Sequence, residues 1–320
     1  MEEKEKNVTS EPVQENALEE EGKINRKRIF IFLAITFVLT YVVEIFMIAP
    51  LNGSTDINEA MLAQSLVASV MFIPTFGVIL TRLITKEGFN GRSLYFSINL
   101  KANLKYYGIV WFGFAALTVV GAVIYFLIFP GKYDGNMGYA AAIINAQSET
   151  PVSAQKVRQL MMAQIGMGLI ISPFVNIINC FGEEWGWRGY LLPRLLKQFR
   201  VVPAVLLDGL IWGLWHAPLI VMGHNYGTGY PGYPVTGILA MCVFCIVIGT
   251  SLSYVTIKTH SCVPAILGHG MINGFSMVGV YFTSLENPYN VFLGPMPIGL
   301  IGGIGFIVYA AYLLWKLHEG

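Results

Sequence analysis

The amino-acid sequence predicts an all-α, polytopic integral membrane protein, a bundle of eight transmembrane helices with one further amphipathic helix at the interface. Two observations lead to this fold class. Of the 320 residues, 55% are hydrophobic and only 12% are charged, and the mean hydropathy is +0.60. Apolar stretches also recur along most of the chain, and each is long enough for the roughly 30 Å hydrocarbon core of a bilayer.

The apolar stretches divide the chain into spans and loops. Residues 1–27 are rich in Glu, Asn and Lys and are predicted to be a disordered cytoplasmic tail, followed by a transmembrane domain over residues 28–320. The first apolar run lacks an A-x-A cleavage pattern, so we expect it to remain as a membrane anchor. The predicted spans are residues 29–49, 62–83, 107–129, 160–182, 202–222, 236–256, 262–283 and 296–316.

The basic residues alternate from loop to loop and predict the orientation. Lys and Arg accumulate on the cytoplasmic side of membrane proteins. Only Lys132, Lys156 and Arg158 fall in loops assigned to the outer side. Both termini are therefore predicted to be cytoplasmic. Between spans four and five, leucines alternate with basic residues over residues 189–200, which predicts the interfacial amphipathic helix.

Composition also excludes two classes of function. A net charge of +1 gives no basis for nucleic-acid binding. The four cysteines are scattered among apolar residues and do not form a disulfide framework. Cys242 and Cys245 form a C-x-x-C without a second Cys or His pair nearby, so packing thiols are the better interpretation than a metal or redox centre.

Charged residues follow the fourth apolar run and need an explanation. Ionised groups inside a membrane segment usually face the protein interior and usually carry function. On a helix, Glu184 and Arg188 stand four residues apart on one face and can pair. That pairing leaves Glu183 free, on a polar stripe with Asn176 and Asn179 that we expect to face into the bundle.

Two further spans supply polar groups at the same spacing of four. Span five contributes Trp212 and His216, and span seven contributes His269 and Asn273. A carboxylate and an imidazole can together take a proton from water, while a second imidazole and an amide can donate hydrogen bonds to an oxyanion. The residue types therefore predict hydrolysis. Helix rise places His269 about 10 Å and His216 about 20 Å along their spans, so span five either begins later or is tilted.

At these residues the sequence resembles the CPBP family of intramembrane proteases, which includes the type 2 CaaX prenyl endopeptidases and bacterial proteins linked to bacteriocin processing or immunity. The family pattern is E-E-x-x-x-R, then F-x-x-x-H, then H-x-x-x-N. The matching residues are Glu183, Glu184, Arg188, Trp212, His216, His269 and Asn273. Trp212 departs from the pattern by replacing phenylalanine. The resemblance covers about residues 160–285, which would form the catalytic core.

The resemblance implies an endopeptidase that hydrolyses a peptide bond in a membrane-associated peptide or protein, lipidated in some members, in the cell membrane of a prokaryote. Carried over residue by residue, Glu183 and His216 would activate water, and His269 and Asn273 would form the oxyanion hole. Glu184, Arg188 and Trp212 would support them. The alternative is a noncatalytic membrane scaffold or bacteriocin-immunity protein of the same fold.

The cofactor remains open at the level of sequence, and we favour none. Glu183, His216 and His269 have the ligand count of a His₂Glu zinc site, but no H-E-x-x-H fixes two of them on one helix. Amides near Glu183 and His269 suit a carboxylate and an oxyanion better than the carboxylates that commonly stand behind metal-bound histidine. Elsewhere in the spans, Glu44 is expected near the outer interface, and Asp208 is either a supporting residue or a polar residue at a helix end.

Overall fold

The computed structural model describes residues 11–319, with side chains from residue 19 onward, and within this range it is helical. The only strand-like pairing in the described part of the chain is one isolated antiparallel bridge between Tyr133 and Thr283. The α-helices are α1 (Glu11–Val43), α2 (Ile57–Val70), α3 (Ile73–Ile84), α4 (Leu100–Gly108), α5 (Phe114–Ile128), α6 (Gly138–Ala146), α7 (Ala154–Ile170), α8 (Ser172–Val175), α9 (Ile177–Gly186), α10 (Leu192–Leu195), α11 (Val201–Trp215), α12 (Ala217–Val221), α13 (Val235–Thr259), α14 (Val263–Phe275) and α15 (Ile304–Glu319).

Wider helical turns join several of these helices into longer rods. A π-helical turn at Glu44–Ile48 extends α1, a second at Ile109–Gly113 joins α4 to α5, and a third at Trp187–Leu191 joins α9 to α10. A tighter 3₁₀ segment at Ser276–Phe282 continues α14. The π-helical turns are of a kind that occurs frequently at functional sites.

Four helical stretches within the described residues are long and apolar enough to cross a membrane. They are Glu19–Leu51, Leu100–Ile128, Val235–Thr259 and Val263–Phe282. A fifth crossing results if Ile57–Val70 and Ile73–Ile84, which meet at 41°, count as one span. The structure thus supports a multi-pass helical membrane protein with four or five spans, and it does not confirm eight.

The other three predicted spans contain helices that are shorter than a full crossing. The fourth is divided at Ile171 and Asn176, with Pro173 in the first turn of α8. The fifth is divided at His216, which Pro218 follows at the start of α12. Proline has no N–H to donate and clashes with the preceding turn, so it ends or kinks a helix. In the eighth predicted span the only α-helix is α15, which begins at Ile304.

The N-terminal segment differs from its prediction. Residues 11–27 belong to α1, where the sequence predicts a disordered tail, and residues 1–10 lie outside the described residues. The segment carries many residues of high helix propensity, including Glu, Gln, Ala and Lys, so it can extend the first span as a helix.

The leucine face of the segment over residues 189–200 packs inward, while Lys197, Phe199 and Arg200 are exposed. Leu191, Leu192 and Leu195 are buried in the core. Asn25 of α1 donates to the Arg194 carbonyl over 2.9 Å, and the Arg194 guanidinium pairs with Glu87. The leucines that predict an interfacial helix therefore contact protein.

The outside of the bundle is apolar, as a protein solvated by lipid requires. Large side chains such as Phe30, Phe46, Leu127 and Val175 are largely exposed. Lipid tails solvate such groups as well as a protein core does. The buried groups include the charged residues of the first motif.

Candidate active site

The first motif is held rigidly because its helix approaches a neighbour closely. A Cβ atom on Gly182 would lie 2.5 Å from the Met71 carbonyl oxygen, and one on Gly186 would lie 2.4 Å from Pro74 Cβ. Only glycine permits this contact between α9 and the α2–α3 bend. The two glutamates of the motif are carried on the same short helix.

The pairing of Glu184 with Arg188 is as predicted. Arg188 Nη1 donates to Glu184 Oε1 over 3.0 Å, and both side chains are fully buried. Arg188 Nε also lies 3.3 Å from Asp208 Oδ2 of α11, and Ser253 Oγ lies 3.4 Å from the same oxygen. Asp208 is therefore part of a buried ion cluster that ties α9 to α11 and α13. A buried ion pair gains from such additional partners, which compensate for lost hydration.

Glu184 has a second partner that the sequence analysis missed. His269 Nδ1 lies 2.9 Å from Glu184 Oε1. A carboxylate accepts hydrogen bonds, so Nδ1 carries the proton of this contact. The pair fixes the orientation of the ring. Amides are expected near the histidines in place of the carboxylates common behind metal-bound histidine, and for His269 this expectation is wrong, since Glu184 contacts its Nδ1.

Trp212 lies at the centre of the three motifs. Its Nε1 donates to Glu183 Oε2 over 2.7 Å, and its ring centroid is 5.3 Å from that of His269 in an edge-to-face arrangement. The Arg188 guanidinium carbon lies 4.4 Å from the same tryptophan ring. Glu183 is therefore bonded, not free as predicted, although one of its oxygens has no contact with this donor.

His216 terminates α11 and is oriented by its own helix. Its Nδ1 lies 2.9 Å from the Trp212 carbonyl oxygen. Because a carbonyl only accepts, Nδ1 bears the proton and Nε2 keeps its lone pair. The ring also packs edge-to-face on Trp215 with centroids 4.8 Å apart. Cys242 and Cys245 are free, buried thiols, as packing cysteines would be.

One cavity of about 480 Å³ is lined by Glu183, Trp212, His216, His269 and Asn273. All four residues predicted as catalytic therefore border the same space. Glu184 and Arg188 do not border it and act through the residues in front of them. Asn273 lies one turn beyond His269, and its Nδ2 is 3.6 Å from Cys180 Sγ.

The predicted stripe of Asn176, Asn179 and Glu183 does not extend into the cavity. The two asparagines are absent from its lining, and Asn176 Nδ2 donates to the Ser172 carbonyl over 2.9 Å. The helix is interrupted at Asn176, so the periodicity of one continuous helix does not apply across it.

Other polar groups near the site escaped prediction. His224 and Asn225 border the cavity, but they belong to a loop and to none of the three motifs. Glu44 is fully buried, and neither of its oxygens has a hydrogen-bond partner among the described residues. Its position in an apolar run is the signal that could have identified it, since charged groups there usually face inward.

Within the described part of the chain, the acidic and thiol or imidazole side chains are not arranged as a metal ion requires. Between residues 19 and 319, no three His, Cys, Asp or Glu side chains are grouped so that they could hold one. Glu183, His216 and His269 border one cavity without forming such a group. The arrangement does not fit a three-ligand zinc centre, and the mechanism proposed below assigns no step to a metal.

Fold and site together define a multi-pass helical membrane protein with an internal cavity lined by a carboxylate, two imidazoles and an amide. Residues 165–275 match a family model described as type II CAAX prenyl endopeptidase Rce1-like. The chain is also similar to CAAX prenyl protease 2 of Methanococcus maripaludis, with 29% identity over 101 residues. Both are similarities over part of the chain, and they agree with its resemblance to the CPBP family of intramembrane proteases. The second match covers 31% of this chain and 37% of the relative, so it spans little more than a third of that protein.

Proposed function

We propose that this protein is an intramembrane endopeptidase that hydrolyses a peptide bond with water. The observation that carries the proposal is the single cavity bordered by Glu183, His216, His269 and Asn273. Polar groups of these types are expensive inside a bilayer and are rarely retained there without function. The family match over residues 165–275 supports the same activity.

In the proposed first step, Glu183 takes one proton from water, while the free Nε2 of His216 accepts a hydrogen bond from the same water. The water oxygen then bonds to the carbonyl carbon of the substrate, whose oxygen gains negative charge. Hydrogen bonds from His269 Nε2 and Asn273 Nδ2 stabilise that oxyanion. The C–N bond then breaks, and the proton held by the base passes to the departing amine.

Glu184 and Trp212 prepare the site without contacting the reacting atoms. Glu184 accepts the Nδ1 proton of His269 at 2.9 Å, and in the proposed role His269 acts as an imidazolium that also donates from Nε2. Trp212 fixes one oxygen of Glu183 at 2.7 Å, so the other is free for water. Preorganised groups of this kind need no rearrangement as charge develops.

The substrate is proposed to be a membrane-associated peptide or protein. The cavity combines its polar residues with apolar wall residues such as Val67, Val70 and Leu219, which suit a chain lying near lipid. The relative named CAAX prenyl protease 2 places a prenylated C-terminal C-a-a-X sequence among the substrates to test first.

The test uses the purified full chain in nanodiscs with peptides that end in C-a-a-X, with and without an isoprenoid on the cysteine. We expect mass spectrometry to detect a cleaved product that Glu183→Gln and His216→Ala abolish. Asn179→Ala is the control, since Asn179 is on the same helix as Glu183 and does not border the cavity. Cleavage by Glu183→Gln at the wild-type rate would overturn the proposal. A biological phenotype that persists in an inactive Glu183→Gln variant would favour the scaffold or immunity role.

We further propose that the chain crosses the membrane eight times, with both termini in the cytoplasm of a prokaryotic cell. The alternation of basic residues between loops supports this topology. The three short helical regions would then complete their crossings through broken helices. Such breaks are tolerated where neighbouring protein satisfies the freed backbone groups.

A further inference from the structure

A second groove, of about 720 Å³, runs between α4–α5, α13 and α15. It shares no lining residue with the cavity that holds the three motifs. Two of the helical stretches that form it, Leu100–Ile128 and Val235–Thr259, are long and apolar enough to span a bilayer. The groove therefore opens along the part of the protein that lipid surrounds.

Three lysines gather at one end of this groove. Lys105 lies near the start of the stretch Leu100–Ile128, while Lys258 and Lys316 lie in the last turns of α13 and α15. The beginning of one helical stretch and the ends of two helices therefore meet at the same end of the groove. None of the three lysines forms an ion pair with a carboxylate in the part of the chain that the structure describes.

Tyrosine rings lie beside the ammonium groups of the three lysines. The Lys105 ammonium is 4.8 Å from the Tyr106 ring centroid, and that of Lys258 is 5.7 Å from Tyr254. Lys316 lies 6.0 Å from the same Tyr254 ring. Cation–π contacts position an ammonium group but leave its charge uncompensated. The three ammonium charges repel one another, and a bound anion would offset this repulsion.

Away from the lysines the groove is more apolar. Gly113, Phe114 and Leu117 of the α4–α5 rod line it there, opposite Tyr309 of α15. Leu117 follows Lys105 by twelve residues, which is about 18 Å along a helix. The groove therefore changes from cationic to apolar along its length, in the direction that leads from the membrane surface to the hydrocarbon core.

We infer that this groove binds an anionic phospholipid, with its phosphate on the three lysines and an acyl chain along the apolar end. Lysine binds phosphate as a compact point charge, and basic pockets between transmembrane helices are typical sites for anionic headgroups. A zwitterionic lipid offers the same acyl chains but brings its own cation, which the lysines repel. The groove thus distinguishes lipids by headgroup charge.

The main test measures fluorescence polarisation of phosphatidylglycerol labelled on one acyl chain, with the full-length protein in detergent, against the matching phosphatidylcholine. We expect wild type to prefer phosphatidylglycerol at least tenfold. Each lysine contributes about fivefold near a membrane surface, so the combined Lys105→Gln, Lys258→Gln and Lys316→Gln variant should lose on the order of a hundredfold. Replacing the same lysines by arginine should restore binding.

The control removes the same charge elsewhere. Lys27→Gln, Lys86→Gln and Lys197→Gln together affect three exposed lysines that do not line the groove. This variant should bind phosphatidylglycerol within about twofold of wild type, because its cationic end is intact. Equal binding of both lipids by wild type, or an equal loss in the control, would overturn the proposal. If the triple groove variant does not fold, Lys316→Gln alone must lower affinity about fivefold.

A substitution at Gly113 distinguishes the binding of a lipid from the binding of free phosphate. Gly113 lines the apolar part of the groove, and a Cβ there would meet only Ile109 Cγ2, at 3.8 Å. Gly113→Leu should therefore fill the groove and weaken phosphatidylglycerol, while millimolar inorganic phosphate should fail to displace the lipid. Displacement by phosphate with no effect of Gly113→Leu would mean an anion site and would overturn the lipid assignment. Neither measurement requires cleavage, so both are independent of the proposed activity.

Discussion

Trp212 donates a 2.7 Å hydrogen bond from Nε1 to Oε2 of Glu183, which joins α11 to α9. The family pattern has phenylalanine at this position, and phenylalanine has no donor. The substitution therefore adds a polar contact and does more than retain an aromatic face. It fixes one oxygen of the proposed base, so this protein holds Glu183 by a means that the family pattern does not supply.

Trp212→Phe tests that contact. Hydrogen bonds to charged groups contribute about 1.5–3 kcal/mol, so we expect kcat to fall about tenfold to a hundredfold with KM little changed. Trp215→Phe is the comparison, since Trp215 Nε1 makes an equally short 2.7 Å bond to Thr40 Oγ1 and none to Glu183. Trp215→Phe should lower thermal stability and have a smaller effect on kcat than Trp212→Phe has. Unchanged kcat in folded Trp212→Phe would show that Glu183 does not need this donor.

Local spacing predicted much of the site, while long-range partners escaped it. The i,i+4 rule gave the Glu184–Arg188 pair, and the three motifs gave the four residues predicted as catalytic, which border one cavity. The contacts of Glu184 with His269 and of Arg188 with Asp208 join residues from different helices. Their register depends on how the helices pack, which no periodicity within one helix encodes.

The ion cluster around Arg188 leads to a prediction about stability. Arg188→Ala leaves the buried carboxylates of Glu184 and Asp208 without their cation. Removing one partner of a buried pair typically costs 3–5 kcal/mol, and we expect a loss of about that size in thermal or denaturant unfolding in detergent. Arg188→Lys should recover only part of it, because lysine lacks the guanidinium fork.

A surface ion pair provides the control for this measurement. Lys197 and Glu21 pair at 2.9 Å with side chains 59% and 64% exposed. Lys197→Ala should change the unfolding free energy by about 1 kcal/mol or less. Losses of similar size in Arg188→Ala and Lys197→Ala would contradict the role assigned to the cluster.

The fold shows the same limit of local reasoning. Apolar length predicted the first, third, sixth and seventh spans, which the structure has as long helices. It could not place the breaks at Asn176 and His216, although Pro173 and Pro218 lie beside them. The sequence left a later start of span five or a tilt as explanations for the difference in depth between His216 and His269. The structure shows no later start, since α11 begins at Val201. The Trp212 ring contacts both histidine rings.

Close packing of α11 on α13 leads to a third prediction. A Cβ atom on Gly213 would lie 2.5 Å from the Cys242 Cα. Backbone cannot yield locally, so Gly213→Ala should separate the helices, lower stability by about 1–3 kcal/mol and displace Trp212 and His216. Gly108→Ala, where no atom lies within 4 Å, should be neutral or stabilise by up to about 1 kcal/mol. The measurement is thermal unfolding of both variants. Equal stability of Gly213→Ala and Gly108→Ala would contradict the close contact.

The proposed topology can be tested by cysteine labelling, because all four native cysteines are buried. Gln147→Cys lies in a loop predicted outside and Lys101→Cys in one predicted inside, and both positions are exposed. A membrane-impermeant maleimide should label Gln147→Cys in intact cells and Lys101→Cys only after lysis. Labelling of Lys101→Cys in intact cells would overturn the orientation.

The last prediction is that cleavage does not require a tightly held metal. Zinc in catalytic sites has three protein ligands at about 2.0–2.2 Å, and no three suitable side chains among residues 19–319 are grouped to hold one. His216 and His269 have their Nδ1 protons on the Trp212 carbonyl and on Glu184. Nδ1 of each ring is therefore occupied, and the proposed mechanism uses the Nε2 lone pair of His216 and the Nε2 proton of a doubly protonated His269. The Glu184 contact would equally suit a metal-bound histidine, so the experiment has to decide. We expect the cleavage rate to persist after chelation, with zinc well below one equivalent by elemental analysis. Stoichiometric zinc whose removal stops turnover and whose return restores it would make His216 and His269 ligands, and Glu183→Gln should then also lower the zinc content.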